Sequence, residues 1–366
     1  MEKSNKPKHQ HFIPKSYLKN FSIERDKKYF IETLDLNNGS ISEKSINDIC
    51  VKKNLYTITN LTQNDKYYFE KFYAKNVDNK FPETYNLLTN PSIKTINKAQ
   101  KFKIIYTILS FYFRTPKFVN SYNKITDDII NESIKHSTKN GIVKFCLYDK
   151  EYEFSISETE NVKKKFRNQN KTIFLYSHLK FWKEFVSYKI NCGISVYNIV
   201  DDMDLITSDN PIIIENINSN NSGFNLYDPS NIIQFPLDKK NYLYVFPNSE
   251  SSDPFHIYRG ERDKMFAITS NFLIQSNADK WILGFPNSLN KHLQNQKIYN
   301  EETTENLKIL EDSKNKAQKF KELIDIMNSH GFFSQIFVDK VKEFRKFEYM
   351  SEDIEFKKTI YELVLC

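Results

Sequence analysis

A chain of 366 residues with 39% hydrophobic content is long enough to bury a sizeable core, and its net charge of +7 is moderate. No run of about 18 apolar residues occurs, and the first ten residues lack the apolar stretch of a secretory signal, so neither a membrane span nor secretion is expected. The four cysteines lie far apart and form no zinc or CxxC spacing. A reduced, cytoplasmic setting is therefore predicted.

The hydrophobic pattern predicts strands first and helices next. Residues 11–60 predict short strands and turns, among them the alternating stretch YFIETLDL and a second strand at KNLYTI. From about residue 65 the apolar spacing becomes helical. A helix from about Ser92 carries Phe102 in its apolar stripe, and Pro116 is expected to end or kink it. Residues 141–156 predict a hairpin.

Strands return near Cys192 and give way to helices in the last third. ISVYNIV, DLITSDNPIII, NIIQFPLD and NYLYVFP are rich in β-branched and aromatic residues and are bounded by turn residues. After about Glu261 the pattern is helical, with a short strand at KWILG. Residues 301–347 are charged and helix-patterned.

This order predicts an α+β fold. We expect one mixed or antiparallel sheet, built from the N-terminal and central strands and covered by inserted helices. The core is assigned to residues 1–290, with the helical insertion at about 65–190, and residues 291–366 form a helical C-terminal extension. Two separate domains remain an alternative.

The stretch KHQHFIPKSYLKNF is the densest in chemically active side chains. Pro14 fixes its own φ and biases Ile13 toward an extended conformation, which would hold His11 in a rigid segment. Histidine titrates near neutral pH and is the commonest general acid or base. Tyr17 could donate a hydrogen bond to an oxyanion. The alternative is an ordinary structural histidine that donates to a carbonyl group.

Arg114 follows an apolar helix face directly, in FYFRTP. Its fork of N–H donors suits bidentate contact with a phosphate, and it is predicted as a phosphate clamp. The alternative is a structural ion pair, for which Glu70 and Asp78 are the candidate partners. Those two acids are eight residues apart, about 80° apart around a helix, so they could also share a face and hold a metal ion.

Asp209 lies in LITSDNPIII, where Asp and Asn favour a tight turn before Pro. At a strand end its carboxylate could orient His11, bind a metal ion such as Mg²⁺, or cap the turn.

The positive charge is concentrated between Glu160 and Ile190, where eight Lys or Arg face two acids. Interleaved aromatic rings, Phe166 and Trp182 among them, would stack on bases while the cations contact phosphates. This pattern predicts nucleic-acid binding, and the alternative is an amphipathic helix with a solvated lysine face and buried rings. The predicted substrate-binding residues are Lys163, Lys164, Lys165, Arg167 and Trp182.

The chain resembles the bacterial domain-of-unknown-function family 4238 over roughly residues 8–290. The opening His11, Phe12, Ile13, Pro14, Tyr17, Leu18 and Phe21 matches the family's His-aromatic-aliphatic-Pro-x-x-Tyr-Leu-x-x-Phe pattern. Further resemblances are KNLYTI, FEKFYAKNVD, FRTP, the Ser-Asp-Asn-Pro turn of ITSDNPI, and IQFPLD, although Asp78 stands where a glutamate is expected. Similar proteins are sporadic bacterial accessory genes of the kind tied to phage defence, which the resemblance implies here.

The sequence has no Walker loop, GxGxxG or GxSxG. The hypothesis that fits best is a phosphodiester-cleaving nuclease, a hydrolase in antiviral defence. His11 would act as acid or base, Tyr17 and Arg114 would stabilise charge, and Asp209 would orient His11 or bind Mg²⁺. The alternatives are a non-catalytic module that senses nucleic acid, a nucleotide or a phage protein, and an NAD- or nucleotide-consuming toxin.

Overall fold

The computed structural model describes residues 9–57, 67–147, 150–216, 225–248, 253–298 and 300–301, with nine single positions between 318 and 339. The α-helices whose two ends both lie within these residues are α1 (Lys15–Leu18), α2 (Tyr68–Tyr73), α3 (Phe81–Thr89), α4 (Lys98–Phe113), α5 (Pro116–Lys135), α6 (Thr159–Lys189) and α7 (Lys264–Asn277). A π-helical segment, Ala74–Asp78, continues α2.

The strands occur mostly in runs between these helices. They are β1 (His9–His11), β2 (Ile23–Arg25), β3 (Lys28–Asp35), β4 (Ile41–Ser45), β5 (Val51–Lys53), β6 (Ile142–Leu147), β7 (Lys150–Ser155), β8 (Ile194–Ile199), β9 (Thr207–Ser208), β10 (Ile213–Asn216), β11 (Asn231–Pro236), β12 (Asn241–Val245), β13 (Ile257–Arg262) and β14 (Trp281–Gly284).

The fold is α+β, as the sequence predicts. The central strands form a five-stranded sheet in the order β10-β11-β12-β8-β13, antiparallel except for the parallel pair β8 and β13. A second five-stranded sheet joins the N-terminal strands to the later ones, in the order β2-β3-β14-β9 with β4 also on β3. β1 pairs with β5, and β6 with β7 in the predicted hairpin.

Local signals explain where the long helices begin. Asn97 and Gln100 form a capping box at the start of α4, in which each side chain accepts from the other residue's backbone N–H. Thr115 caps α5 and accepts from Phe118, and Pro116 occupies the first turn, where its missing N–H costs nothing. Pro116 therefore begins a new helix after α4 ends at Phe113.

Two sequence-based expectations are wrong in detail. KNLYTI is not a strand, because β5 ends at Lys53 and the chain turns at Asn54, whose φ is +55° and whose carbonyl accepts from Thr57. Phe102 does not point into the core with the rest of its predicted stripe. Its side chain is 48% exposed on the outer face of α4.

One large core holds these layers together. It packs the side chains of the opening motif, α3, α4 and the second half of α6 against the central sheet. Tyr17 shows the arrangement, since its ring lies 5.0 Å from both Phe111 of α4 and Phe235 of β11. Burial of these rings supplies most of the driving force that brings β1 and α1 to the middle of the fold.

Contacts divide the chain into two units, Met1–Gln294 and Asn295–Cys366. All the sites discussed below belong to the first. The predicted helical pattern of residues 301–347 lies almost wholly outside the described residues. Within the described part of the chain, no helix is both long enough and apolar enough to span a membrane.

Candidate functional site

The opening motif is part of the core, and the Tyr17 hydroxyl joins separate elements of the fold. Tyr17 is buried in α1, and its hydroxyl lies 2.6 Å from Oγ1 of Thr207 and donates to the carbonyl of Pro236 at 2.9 Å. Burial raises the pKa of Tyr17 well above its usual value. The hydroxyl thus joins α1 to β9 and β11 and is closed off from solvent.

Arg114 is the centre of the site. Its side chain is only 1% exposed, and Nη1 donates to Oδ1 of Asp78 at 2.6 Å. Nη2 donates to the carbonyl oxygen of His11 at 2.7 Å. Burial alone would lower the pKa of Arg114, but Asp78, Tyr56 and Tyr73 together outweigh it and the pKa is raised. Arg114 therefore ties the opening motif to the π-helical segment.

Two buried tyrosines surround this arginine. The guanidinium carbon of Arg114 lies 4.4 Å from the centre of the Tyr73 ring, a cation–π contact. The Tyr56 hydroxyl donates to the carbonyl oxygen of Arg114 at 2.5 Å. Tyr56 is held in turn by Gln10, whose side-chain oxygen accepts from the Tyr56 N–H. Arg114, at the end of α4, is thus held through both its main chain and its side chain.

Glu70 lies one turn before the π-helical segment, and its pKa is near neutral pH. Burial raises the pKa of Glu70 to about 7, with Arg114 lowering it and Asp78 raising it by smaller amounts. Its Oε2 is buried without a hydrogen-bond partner in the described chain. A partly buried carboxyl group with this pKa can both give and take a proton at neutral pH.

The His11 ring is close enough to the same ion pair for both charges to affect its pKa. Burial lowers its pKa to about 4, opposed by the hydrogen bond to the Ile46 carbonyl; Lys15 and Arg114 lower the pKa further, and Asp78 raises it. Because Nε2 lies 3.2 Å from that carbonyl oxygen, Nε2 carries the proton and donates. Nδ1 then holds a lone pair, and the described chain gives it no partner.

Buried polar atoms without partners are concentrated here. Within the described residues they include Oε2 of Glu70, the Tyr73 hydroxyl, Nε of Arg114 and Nε2 of His178. The His178 ring lies 6.0 Å from that of Tyr73, and its pKa is lowered to about 4, mainly by burial. A buried polar atom without a hydrogen-bond partner lowers the stability of the fold, so each one calls for an explanation. We call His11, Glu70, Tyr73, Asp78, Arg114 and His178 the Arg114 cluster.

Of the three roles considered for Asp209, the structure agrees with capping by backbone contacts. Its carboxylate accepts from the backbone N–H groups of Asp279, Lys280 and Trp281, at 2.9, 2.8 and 3.1 Å. These bonds fix the start of β14. Among the described residues Asp209 and His11 are not bonded to each other, so Asp209 caps a turn and does not orient His11.

The basic segment is the single helix α6, and the two rings predicted to stack on bases, Phe166 and Trp182, are internal, whereas Tyr176 and Phe181 are exposed. Trp182 is 1% and Phe166 is 2% exposed, and the Trp182 indole donates to the carbonyl oxygen of Tyr106. These buried rings cannot present a face to several bases, so the stacking predicted for Trp182 is wrong. Arg167 pairs with Asp127 and Lys163 lies near Glu160, whereas Lys164 and Lys165 are exposed.

The described residues contain no group of three or more His, Cys, Asp or Glu side chains arranged to hold a metal ion. Asp78 is paired with Arg114, and three amides occupy Asp209. The Mg²⁺ role given to Asp209, and the metal role given to Glu70 and Asp78, therefore do not fit the donors as they lie.

Sequence reasoning found four members of the cluster and missed two. Glu70, Asp78, His11 and Arg114 come together, and the alternative of an Arg114–Asp78 ion pair is confirmed. Tyr73 and His178 were missed because each lies on a helix face that reads as ordinary core. The available signal was a histidine placed between apolar residues in the middle of α6.

Comparison with known proteins adds a family and no activity. A family model described as "Protein of unknown function (DUF4238)" matches residues 9–288. No curated protein matches the chain. No solved structure matches it either.

Proposed function

The chain belongs to the DUF4238 family, and we propose that it is an acid–base hydrolase that cleaves phosphodiester bonds in nucleic acid. The observation that carries the proposal is Glu70, a partly buried carboxyl group with an unpartnered oxygen and a pKa of about 7, beside the Arg114–Asp78 ion pair. Groups whose pKa is matched to neutral pH are characteristic of acid–base sites.

The proposed step uses two groups. Nδ1 of His11 accepts a proton from water as the water oxygen attacks phosphorus. The P–O bond to the leaving oxygen breaks, and protonated Glu70 gives its proton to that oxygen. Water then returns the proton to Glu70, and His11 releases its own, which restores the starting state.

Arg114 is a positioning residue in this proposal and not the predicted phosphate clamp. Both of its terminal nitrogens are used inside the protein, on Asp78 and on the His11 carbonyl. It therefore sets where the His11 backbone and the Asp78 carboxylate lie. Lys15 is exposed, and its charge lowers the pKa of His11, so it lies near the site. It is a better candidate than Arg114 for contact with a phosphate.

The basic helix supports nucleic acid as the substrate. Lys164 and Lys165 are exposed on α6. Further along the same helix, Nζ of Lys171 donates to the carbonyl oxygen of Asn54, two residues before the Tyr56 that contacts Arg114. A line of positive charge thus leads along α6 toward the loop beside the Arg114 cluster, where a phosphate backbone could follow it.

The test is cleavage of labelled single-stranded RNA, single-stranded DNA and duplex DNA by the purified protein. Glu70→Gln and His11→Ala should each lower the rate about 100-fold or more. Glu153→Gln, which removes an exposed carboxylate of β7 paired with Lys144, is the matched control and should leave the rate unchanged. No cleavage of any substrate, or equal cleavage by all variants, contradicts the proposal.

The engagement of Arg114 favours a second candidate, a non-catalytic module that senses nucleic acid or a nucleotide. A site whose two terminal guanidinium nitrogens are both used internally can hold a shape without stabilising a transition state. Binding of nucleic acid without cleavage, unaffected by Glu70→Gln, supports this candidate. The defence role stays a proposal, tested by plating phage on cells that carry the wild type or His11→Ala.

A further inference from the structure

A separate groove of about 550 Å³ lies between α2, α4 and α6, on the outer side of Trp182. Four of the residues that line it are aromatic: Phe72, Phe102, Tyr106 and Trp182. This volume is within the range of small-molecule sites, about 300–1,000 Å³. The groove does not contain any member of the Arg114 cluster.

The aromatic side chains of the groove are stacked in order. Phe102 and Tyr106 are 5.3 Å apart with an interplanar angle of 23°, and Tyr106 and Trp182 are 4.0 Å apart at 28°. Trp182 and Tyr73 continue the series at 6.0 Å and 24°. Four nearly parallel rings thus run from the exposed Phe102 to the ring beneath Arg114. A planar ligand would continue this stack at its outer end.

The rim of the groove is positive. Lys80, Lys103 and Lys183 line it, and Lys103 pairs with Glu83. Lys80 and Lys183 are exposed, and among the described residues they form no ion pair. Asn76 also lines the groove; its Nδ2 donates to the Phe72 carbonyl, which leaves Oδ1 as an acceptor. The groove therefore offers flat rings, one acceptor and two unpaired cations.

We propose that this groove is a binding site for a purine mononucleotide. The base would stack on the exposed outer face of Phe102, and its amino group would donate to Oδ1 of Asn76. The phosphate would be held by Lys80 and Lys183. The site is independent of the proposed hydrolase, since no member of the Arg114 cluster lines the groove.

Calorimetry with AMP as the probe tests the site in the full chain carrying Glu70→Gln, so that loss of catalysis does not affect the result. AMP should bind, and adenosine and ribose 5-phosphate should each bind at least 10-fold more weakly. Lys80→Glu with Lys183→Glu, and separately Phe102→Ala, should each weaken AMP binding at least 10-fold. Lys28→Glu with Lys139→Glu, two exposed lysines elsewhere, should not.

Fluorescence locates the ligand. The chain has two tryptophans, so Trp281→Phe leaves Trp182 as its single indole. AMP should then change the emission, because Trp182 lines the groove, with the affinity found by calorimetry. Absence of AMP binding at about 1 mM, a threshold near −4 kcal/mol, overturns the proposal. Equal binding by the groove variants, or binding of oligonucleotides alone, also overturns it.

Discussion

The Arg114 guanidinium donates to the Asp78 carboxylate at 2.6 Å, although the arginine is 1% exposed and the aspartate 29%. The pair joins the last residue of the π-helical segment to the end of α4. Because Arg114 also holds the His11 carbonyl, the ion pair is the point at which three separate parts of the chain meet.

Removing the partner of a buried charge is the first stability test. Asp78→Ala should lower the free energy of unfolding by about 3 kcal/mol, somewhat less than for a fully buried pair because Asp78 is partly exposed. Adding Arg114→Met should recover part of this loss, because no uncompensated charge then remains. Urea unfolding of the four proteins of the cycle gives the coupling. Glu132→Ala, in an exposed pair on α5, is the control and should leave the midpoint unchanged.

Glu70 should make stability depend on pH. Its pKa is raised from 4.5 to about 7 in the folded protein, so its favourable contribution is complete below pH 4.5 and lost as pH rises through 7. Glu70→Gln should therefore match wild type at pH 4.5 and exceed it above pH 7, by about 2 kcal/mol after allowance for partial exposure. His11, with its lowered pKa, acts in the opposite direction, but it is present in both proteins and cancels.

Asp209 should matter for stability and not for chemistry. Asp209→Ala leaves three backbone N–H groups without their charged acceptor, so unfolding should become easier by about 3 kcal/mol or more. Asp202→Asn, at an exposed carboxylate, is the comparison and should change nothing. Any activity of Asp209→Ala per folded molecule should equal that of wild type. A large drop in the reaction rate with unchanged stability would show that Asp209 takes part in catalysis.

The Tyr17 hydroxyl should likewise matter for stability and not for chemistry. Tyr17→Phe keeps the ring contacts but leaves Thr207 and the Pro236 carbonyl without the hydroxyl, at a cost of about 1–3 kcal/mol. Tyr29→Phe, where the hydroxyl donates to the exposed Glu24, should leave the melting temperature where it was. If Tyr17→Phe instead abolishes turnover in a protein as stable as wild type, Tyr17 has the predicted role of donating a hydrogen bond to an oxyanion.

Nucleic-acid binding by α6 should depend on its exposed lysines and not on the buried Trp182. Lys164→Glu with Lys165→Glu should weaken binding to a labelled single strand at about 50 mM salt. The log–log salt slope should fall by roughly 0.7 for each phosphate that the variant no longer neutralises. Trp182→Phe should leave the affinity for the strand unchanged, because the indole is buried. Anisotropy titrations at several salt concentrations measure all three proteins.

The sequence predicted segments well and side-chain directions poorly. Pro14 and the apolar residues around it correctly placed His11 in a rigid segment. Whether Arg114 met a phosphate or a carboxylate depended on how α2 and α4 pack, and local spacing does not contain that information. The partners of Asp209 are backbone groups 70 residues away, and no residue type marks them.

Burial of the aromatic rings was the other unpredictable quantity. Phe102 and Trp182 both occur in apolar, helix-patterned stretches, yet the first is half exposed and the second is enclosed. The difference arises because Trp182 faces α2 and α4 at once, whereas Phe102 lies beyond the point where those helices meet. The face of α6 that is covered depends on elements more than 70 residues away.

The widened turn at Ala74–Asp78 makes the cluster sensitive to chain length. The N–H of Asn79 donates to the carbonyl oxygen of Ala74, five residues back, so this turn holds one residue more than an α-helical turn. Deleting Lys75 would let this turn close as an ordinary α-helical turn, with a changed backbone path between Tyr73 and Asp78. The length of this short segment therefore sets where the Asp78 carboxylate lies relative to the Arg114 guanidinium.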